Sequence, residues 1–323
     1  MNAPEYLSDL EPRVAEVLRD QGLDHRLGPL QVLPGGHSGL TYATATDSGR
    51  LVVKAVPPGQ KPIGRHDMVR QARIMQALGP TPVPVPDIVA VDERHPAWFA
   101  MEFVEGESLE PVLDDPAVEP AVAAERMRRA AEVLPLLHAV PLEDLPVDGS
   151  PLAPEDELAR WARTMAAVPP ELVQGAEKLQ DALERSTPPA ARPTLVHGDY
   201  RLGNLIARMN EPVALIDWEI WSIGDPRVEL GWFLVFADGA NFPGVGRDVP
   251  GLPSQEELVQ RYVGHGRQPG ALDWFKALGR FKMAAIMGHN LRRHREGRHH
   301  DPAQERLPDT IQHLIDTGRQ LVA

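Results

Sequence analysis

The sequence His197-Gly-Asp-Tyr-Arg-Leu-Gly-Asn204, followed by Leu215-Ile-Asp217-Trp-Glu219, contains an acid, an amide and a second acid at fixed spacing. Asp199 comes five residues before Asn204, and Asp217 comes thirteen residues after Asn204. Phosphoryl transfer from a nucleotide needs these residue types, because a carboxylate must orient the attacking hydroxyl and hard oxygen ligands must hold Mg²⁺ against the phosphates. The pattern therefore predicts Asp199 as a base and Asn204 and Asp217 as Mg²⁺ ligands.

A surface turn that carries two acids by chance is the alternative interpretation of these residues. Apolar, strand-like runs accompany both halves of the pattern, Pro193-Thr-Leu-Val196 and Pro212-Val-Ala-Leu-Ile216. Kinase catalytic loops and the metal-binding hairpins that follow them have this strand context. We favour the functional interpretation, because the constellation has three members and lies between the expected strands.

At these two motifs the chain resembles the aminoglycoside phosphotransferase and choline kinase-like family, whose members are relatives of protein kinases. The His-Gly-Asp motif stands where protein kinases have His-Arg-Asp, and Asp217-Trp-Glu219 stands where they have Asp-Phe-Gly. The run from Asp217 to Trp232 is similar to the branch that is also found attached to acyl-CoA dehydrogenases. The resemblance extends over nearly the whole chain. It implies a bilobal protein kinase-like fold, ATP (or GTP) and Mg²⁺ as cofactors, and a small-molecule hydroxyl as acceptor.

Strand patterns dominate the first third of the chain, and helix patterns dominate the rest. Ser8-Asp-Leu-Glu11 is typical of a capping box at a helix start, and Asp47-Ser-Gly49 predicts a hairpin turn between two strands. A helix is predicted over Asp67–Leu78, ending before a proline-rich run. Further strands are expected near 88–91 and 98–104, and helices over 119–140, 155–168, 172–183, 226–236, 254–264, 272–295 and 303–321.

This order of elements predicts an α+β fold with two lobes divided near Gly106. We expect residues 1–105 to form a small, β-rich N-lobe that binds the nucleotide. Residues 106–323 are expected to form a larger helical C-lobe with the catalytic loop, the metal site and the substrate-binding helices.

A glycine-rich segment lies between the first predicted strands and contains Gly35, Gly36 and Ser38. Glycines let a backbone approach phosphates closely, so these three residues are candidates for nucleotide binding. Alone this signal is weak, because glycine hairpins are common. Lys54, in the middle of an apolar strand, either extends to solvent or reaches the α/β-phosphates. With the downstream motif present, we favour phosphate contact.

The helix that usually supplies a glutamate to such a lysine departs from the family pattern. In the segment 69–74, which resembles that helix, position 71 is a glutamine. Glutamine can hydrogen-bond a lysine but supplies no charge, and Asp67, one turn earlier, is the alternative partner. We expect Gln71 to lie near Lys54. The departure leaves a nucleotide-binding pseudokinase without turnover as an open alternative.

The resemblance implies further roles for residues outside the central acids. Met101-Glu-Phe-Val-Glu-Gly106 corresponds to the kinase hinge, where the Glu102 carbonyl and the Val104 N–H would pair with the adenine edge. Arg201 stands where protein kinases carry a lysine directed at the transferring phosphate, so we expect it to neutralise charge there. The resemblance also implies that Glu229 ties down the catalytic loop.

The composition is that of an ordinary globular chain with an acidic balance. Of the 323 residues, 42% are hydrophobic and 24% are charged, and the formal net charge is -13. Such a charge disfavours nucleic acid as a partner. The sequence has no apolar run of membrane-spanning length (~20 residues) and no cysteine, and its first residues lack the basic and apolar regions that predict export. We therefore expect a cytoplasmic monomer or homodimer, without membrane partners, that acts on a small molecule.

The acceptor is the least determined part of this prediction. The resemblance admits aminoglycosides, choline-like alcohols and hydroxylated acyl-CoA thioesters, and the branch favours a metabolic alcohol over an antibiotic such as an aminoglycoside or macrolide. A true protein kinase is disfavoured, because the Asp-Phe-Gly and Ala-Pro-Glu motifs are missing. The basic run Arg292–His300 is interpreted as a solvated helix end rather than as a metal or anion site, because its cations complement the negative C-terminal end of the helix dipole.

Overall fold

The structure, a computed structural model, describes residues 3–23, 27–33, 40–47, 49–114, 118–147, 149–264, 266, 269–298 and 300–323. The chain divides into two compact units. The first comprises Met1–Gly106, Glu143–Pro146 and Val213–Ile220, and the second comprises Glu107–Leu142, Val147–Pro212 and Trp221–Ala323. The first unit thus includes Asp217, whereas Asp199 and Asn204 belong to the second.

A five-stranded antiparallel sheet forms the centre of the first unit, with the strand order β1-β2-β3-β5-β4. Its strands are β1 (Gln31–Val32), β2 (Leu40–Thr46), β3 (Gly49–Ala55), β4 (Ile88–Asp92) and β5 (Trp98–Glu102), and its helices are α1 (Ala3–Asp20) and α2 (Met68–Leu78). Thr46 pairs with Gly49 at the end of the β2–β3 hairpin. The predicted hairpin, the predicted helix from Asp67 and the two further strands are therefore confirmed.

The first helix begins earlier than the sequence predicted. Ser8-Asp-Leu-Glu11 lies inside α1 and does not cap its start, so the capping-box prediction is wrong. The reason is an apolar stripe at helical spacing that begins before Ser8. This stripe packs Tyr6, Leu10 and Val14 into one hydrophobic cluster with residues of the sheet.

Helices make up most of the second unit. They are α3 (Pro120–His138), α4 (Pro154–Met165), α5 (Ala176–Arg185), α6 (Pro226–Val235), α7 (Gln255–Val263), α8 (Leu272–Arg295) and α9 (Pro308–Leu321). The strands of this part of the sequence are β6 (Thr194–Val196), β7 (Leu205–Arg208), β8 (Glu211–Leu215) and β9 (Ser222–Gly224). β6 pairs antiparallel with β9, and β8 begins in the second unit and continues into the first.

All seven helices predicted for this region occur, and α8 has the predicted bounds. Two of them begin later than expected by more than one residue. A short 3-10 turn at Pro170–Leu172 precedes α5, and another at Pro302–Arg306 precedes α9. α9 starts at Pro308 because proline suits the first helical turn, where its missing N–H is not needed.

α8 is the central helix of the second unit, and α4, α5, α6 and α9 pack against it. Its residues Phe275 and Phe281 are fully buried, and apolar side chains occur all around it, as expected for a core helix. Within the described ranges, no helix has both the length and the apolar character needed to cross a membrane.

Two glycines allow α6 and α8 to approach each other closely. A Cβ atom on Gly231 would lie 2.4 Å from the carbonyl oxygen of Phe275, and one on Gly279 would lie 2.9 Å from the carbonyl oxygen of Gly231. A side chain at either position would therefore separate the helices. The close approach brings Trp232 of α6 and Lys282 of α8 into contact beside the loop that follows β6.

Candidate active site

The turn after β6 carries the His-Gly-Asp motif, and a buried glutamate of α6 holds it. Gly198 has a φ of 88°, a left-handed conformation that favours glycine. The backbone N–H groups of His197 and Gly198 donate to the carboxylate of Glu229 at 2.9 Å and 2.7 Å. Burial alone would raise the pKa of Glu229, but His138 and the loop backbone lower it. Glu229 thus ties down this turn, as the resemblance implied.

Three side chains hold Asp199, the acid predicted to be the base. Trp232 Nε1 donates to Oδ1 at 3.0 Å, and Asn204 Nδ2 donates to Oδ2 at 2.8 Å. Asn204 Nδ2 also donates to the backbone carbonyl of Asp199 at 2.8 Å, and Arg201 Nε lies 3.5 Å from Oδ2. The protein's own donors therefore fix the orientation of this carboxylate, which is the main requirement for a positioned base.

Asn204 is oriented so that its amide oxygen is the atom that can accept a cation. Its nitrogen donates to the Asp199 carboxylate. Because an ionised carboxylate only accepts hydrogen bonds, the amide atom that faces it must be the nitrogen. The Asn204 oxygen and the Asp217 carboxylate are hard donors of the kind that Mg²⁺ binds. The two residues belong to different units.

The fit of a metal to these donors depends on a nucleotide. Among the described residues there is no group of three or more His, Cys, Asp or Glu side chains that could hold a metal ion. Mg²⁺ commonly takes one or two protein ligands together with substrate phosphates and waters. Asn204 and Asp217 are each a hard donor of the kind that Mg²⁺ takes beside a nucleotide, and neither residue by itself makes a metal site held by the protein alone.

The guanidinium of Arg201 folds back over the catalytic loop. Its Nη1 lies 3.8 Å from Glu110 Oε2, and a Cβ atom on Gly203 would lie 1.9 Å from the same nitrogen. Position 203 must therefore be glycine for the guanidinium to occupy this place. Arg201 lies between the carboxyl groups of Asp199 and Glu110, and its guanidinium carbon is 5.8 Å from the centroid of the Phe236 ring.

Glu110, which no motif in the sequence marked, lies fully buried against the catalytic loop. Its Oε2 accepts a hydrogen bond from the backbone N–H of Gly203 at 3.2 Å, and its Oε1 has no hydrogen-bond partner among the described residues. Burial raises the pKa of Glu110 to about 8, although Arg201 and the Gly203 N–H act in the opposite direction. Burial thus favours the protonated form of this carboxyl group.

In the first unit, Lys54 and Asp217 form an ion pair with an Nζ–Oδ1 distance of 2.7 Å. Lys54 is buried in β3, between Thr41 of β2 and Phe99 of β5. Asp217 has a φ of 68°, which is uncommon for a residue other than glycine and costs of order 1–3 kcal/mol. Strained backbone of this kind concentrates at functional sites. This pair joins two of the residues that the sequence assigned to the nucleotide and the metal.

The partner of Lys54 differs from the expectation. Gln71 is buried and its Nε2 donates to the carbonyl of Arg65 at 2.8 Å, while the side chain of Asp67 caps α2 by accepting from the Arg70 N–H at 2.9 Å. Among the described residues, neither Gln71 nor the alternative Asp67 is bonded to Lys54, so the expected pairing of Lys54 with one of them is wrong. A charged acid is a stronger partner for an ammonium than a neutral amide, and Asp217 supplies that acid.

The remaining predicted nucleotide-binding residues stay predictions. Gly35, Gly36 and Ser38 lie outside the described residues. Glu102 ends β5, and its backbone N–H donates to the carbonyl of Asp87 at 2.9 Å. Val104 follows β5 in a segment without regular secondary structure.

The basic run at the end of α8 is engaged in surface ion pairs. Arg295 Nη2 lies 2.7 Å from Glu305 Oε2, and Arg292 Nε lies 3.7 Å from Glu296 Oε1. His294 Nε2 lies 3.8 Å from the other oxygen of Glu305, whereas His299 lies outside the described residues. These contacts agree with a solvated helix end.

The fold and the catalytic-loop motif define a protein of the kinase-like phosphotransferase class. The family model described as "Phosphotransferase enzyme family" (APH) matches residues 29–262. Because this match covers most of the sequence, the chain belongs to that phosphotransferase family.

Similar proteins include an acyl-CoA dehydrogenase relative and solved phosphotransferases. Acyl-CoA dehydrogenase family member 10 of Mus musculus is 29% identical over 285 residues, which are 81% of this chain and 26% of that protein. The chain spans about a quarter to two fifths of the length of the first curated relatives that it matches. A Ralstonia eutropha protein assigned to the aminoglycoside phosphotransferases has a TM-score of 0.75 at 23% identity, covering 95% of this chain and 97% of that chain.

A nucleotide complex is also among the similar structures. The GDP complex of aminoglycoside 2'-phosphotransferase-IIIa has a TM-score of 0.59 at 18% identity and covers 96% of each chain. At such identities the likeness concerns the fold alone. It confirms the protein kinase-like α+β fold predicted from the sequence.

Proposed function

We propose that this chain is a Mg²⁺-dependent small-molecule kinase that moves the γ-phosphate of ATP, or GTP, to a hydroxyl group. The observation that carries the proposal is the Asp199 carboxylate, whose two oxygens are oriented by Trp232, Asn204 and Arg201. Because the transition state of phosphoryl transfer is loose, positioning of the base matters more than its strength. An acid fixed in this way suits the acceptor hydroxyl.

In this mechanism Asp199 accepts a hydrogen bond from the acceptor hydroxyl. The hydroxyl oxygen forms a bond to the γ-phosphorus while the bond from that phosphorus to its bridging oxygen breaks, and the hydroxyl proton passes to Asp199. The products are a phosphate ester and the nucleoside diphosphate. Arg201, 3.5 Å from Asp199, neutralises negative charge that builds up beside the base. Mg²⁺, held by Asn204 and Asp217, would neutralise the phosphate charges.

The first unit is proposed to bind the nucleotide, and the second to bind the acceptor. Lys54 would contact the α/β-phosphates, since its ammonium already lies beside the acid proposed for the metal. The existence of a GDP complex in a protein of the same fold supports a purine nucleotide, with GTP included. The further nucleotide contacts proposed here are Gly35, Gly36, Ser38, Glu102 and Val104.

A screen for acceptor-stimulated release of nucleoside diphosphate tests the proposal. ATP and GTP would each be supplied with Mg²⁺ and a panel of alcohols, with the Asp199→Ala variant as the control. The panel contains aminoglycosides, macrolides, choline and hydroxylated acyl-CoA thioesters, the last because the mouse relative is named an acyl-CoA dehydrogenase family member. We expect one class to stimulate release in the parent only. If the protein binds nucleotide but no acceptor stimulates the release of nucleoside diphosphate, the result would instead support the alternative of a pseudokinase, which the glutamine at position 71 suggested.

A further inference from the structure

Lys282 is a buried lysine in the middle of α8, and only 3% of its surface is exposed. Its Nζ donates to the backbone carbonyl of Gly198. The same nitrogen lies 3.7 Å from the centroid of the Trp232 ring and 5.0 Å from that of Trp161. Within the part of the chain that the structure describes, no carboxylate forms an ion pair with it. Two indole faces therefore take the place that an acid usually has beside a buried ammonium.

Two routes connect Lys282 to Asp199 without direct contact. The Gly198 carbonyl and the Asp199 nitrogen belong to the same peptide group. A hydrogen bond donated to that carbonyl therefore fixes the peptide group that leads into Asp199. The second route is Trp232, whose face meets the ammonium and whose Nε1 donates to Asp199 Oδ1 at 3.0 Å. A cation over an indole draws electron density from the ring and makes its N–H a better donor.

Resting on the kinase activity proposed above, we propose that Lys282 is a positioning residue for the phosphoryl transfer. Its ammonium, held against Trp161 and Trp232, locks the Gly198 peptide and thereby sets the orientation of the Asp199 carboxylate. Glu229 of α6 accepts hydrogen bonds from the N–H groups of the same turn. The turn is therefore fixed by α6 at its N–H groups and by Lys282 of α8 at the Gly198 carbonyl.

The charges around Lys282 agree with this role. Burial lowers the pKa of Lys282 to about 8. Asp199 of the loop, Glu157 of α4 and Glu229 of α6 favour the ammonium, and Arg160 of α4 disfavours it. A lysine in this position costs folding free energy, because its charge is removed from water without an adjacent acid. Methionine, which has a similar length and no charge, would fill the same space without that cost.

The test compares Lys282→Met with Lys276→Met, a matched control on the same helix. Lys276 lies 2.9 Å from Asp273 in a surface ion pair and has no part in the site. We expect Lys282→Met to lower kcat by about 10- to 100-fold, as for a misplaced catalytic group. The KM of Lys282→Met for the nucleotide should equal that of the parent, and its thermal midpoint should be no lower. Lys276→Met should match the parent in kcat, KM and thermal midpoint.

A spectroscopic readout separates this inference from the proposed activity. In protein labelled with ¹⁵N-tryptophan, the Trp232 indole signal, assigned with Trp232→Phe, should titrate with a midpoint near pH 8 in the parent and should not titrate in Lys282→Met. If no acceptor is turned over but this titration is seen, the kinase proposal fails while the link from Lys282 to the loop stands. An indole signal that is the same in Lys282→Met and the parent would overturn the inference. A fall in kcat explained by an equal loss of folded protein would also overturn it.

Discussion

Lys54 Nζ and Asp217 Oδ1 lie 2.7 Å apart although the two residues are 163 positions apart in the sequence. Lys54 is buried in β3, the second strand after the predicted glycine-rich segment, and 37% of the Asp217 side chain is exposed. The Asp217 carboxylate is thus partly exposed beside a buried ammonium. The pair therefore connects the predicted phosphate contact with the predicted metal ligand.

Asp217→Asn and Lys54→Met should weaken nucleotide binding in distinguishable ways. A neutral amide is a poorer Mg²⁺ ligand than a carboxylate, so Asp217→Asn should remove most of the gain in nucleotide affinity that Mg²⁺ provides. Lys54→Met removes a phosphate contact and should weaken binding both with and without Mg²⁺. Calorimetry with and without the metal measures both effects. An unchanged Mg²⁺ dependence in Asp217→Asn would exclude a metal role for this acid.

Asp199→Ala should abolish transfer while leaving nucleotide affinity nearly intact. The carboxylate is proposed to contact the acceptor hydroxyl and not the nucleotide, and loss of a general base typically costs ~10²–10⁴ in rate. Turnover and calorimetric affinity, measured on the same preparation, separate the two quantities. Full activity in the variant would remove Asp199 from the mechanism.

Gly203→Ala should act through Arg201. The new Cβ would lie 1.9 Å from Arg201 Nη1, and the guanidinium, as the end of a flexible side chain, can move away. We therefore expect Gly203→Ala to fold normally and to lose about as much activity as Arg201→Ala. The double variant should be no slower than either single variant, because both remove the same interaction. Additive losses would show that the two residues act separately.

The sequence predicted the elements that depend on local patterns. The hairpin around Asp47-Ser-Gly49, the helix from Asp67 and the bounds of α8 follow from turn residues, a cap and an apolar period, which act within a few residues. The early start of α1 was missed because Tyr6, an apolar residue before Ser8, continues the buried stripe. The start of α1 depends on packing against a sheet that is distant in the sequence, and a local capping pattern contains no information about that packing.

The site was predicted only where a motif carries the chemistry. Asp199 and Asn204 were assigned from their spacing, and the structure brings them into hydrogen-bond contact. Glu110 and Lys282 belong to no motif, and Trp232 ends the run that resembles the acyl-CoA dehydrogenase-associated branch without a role being assigned to it, because the importance of all three depends on which groups surround them after folding. The family resemblance also implied Gln71 as the neighbour of Lys54, whereas the acid that pairs with the lysine is Asp217, from a segment that is remote in the sequence.

Glu110 should give the protein a distinctive pH dependence of stability. Its pKa is raised from 4.5 to about 8, so the folded state holds a proton that the unfolded chain releases between these values. The contribution of Glu110 is therefore fully present below about pH 4.5 and is lost as the pH rises to about 8, with a slope of up to ~1.4 kcal/mol per pH unit. Glu110→Gln should remove this slope.

Urea unfolding between pH 5 and about pH 8.5 measures the slope in the parent and in the variant. The exposed Glu177 of α5 provides the control, and Glu177→Gln should keep the parent's slope. Parallel curves for Glu110→Gln and the parent would show that the buried carboxyl is ionised throughout and paired with Arg201.

Gln71→Glu should destabilise the protein without raising its activity. The Gln71 amide donates to the Arg65 carbonyl at 2.8 Å from a site that is only 1% exposed, and a glutamate there would place a carboxylate against that carbonyl oxygen. A buried polar group that loses its partner costs ~1–3 kcal/mol, which thermal unfolding would detect. Gln76→Glu, on the exposed side of α2, should have little effect and serves as the control. Nucleotide affinity and turnover should not increase, because Lys54 already has Asp217 as its charged partner. A clear gain in either quantity would mean that position 71 reaches Lys54 in the working protein, and that the glutamine weakens this enzyme.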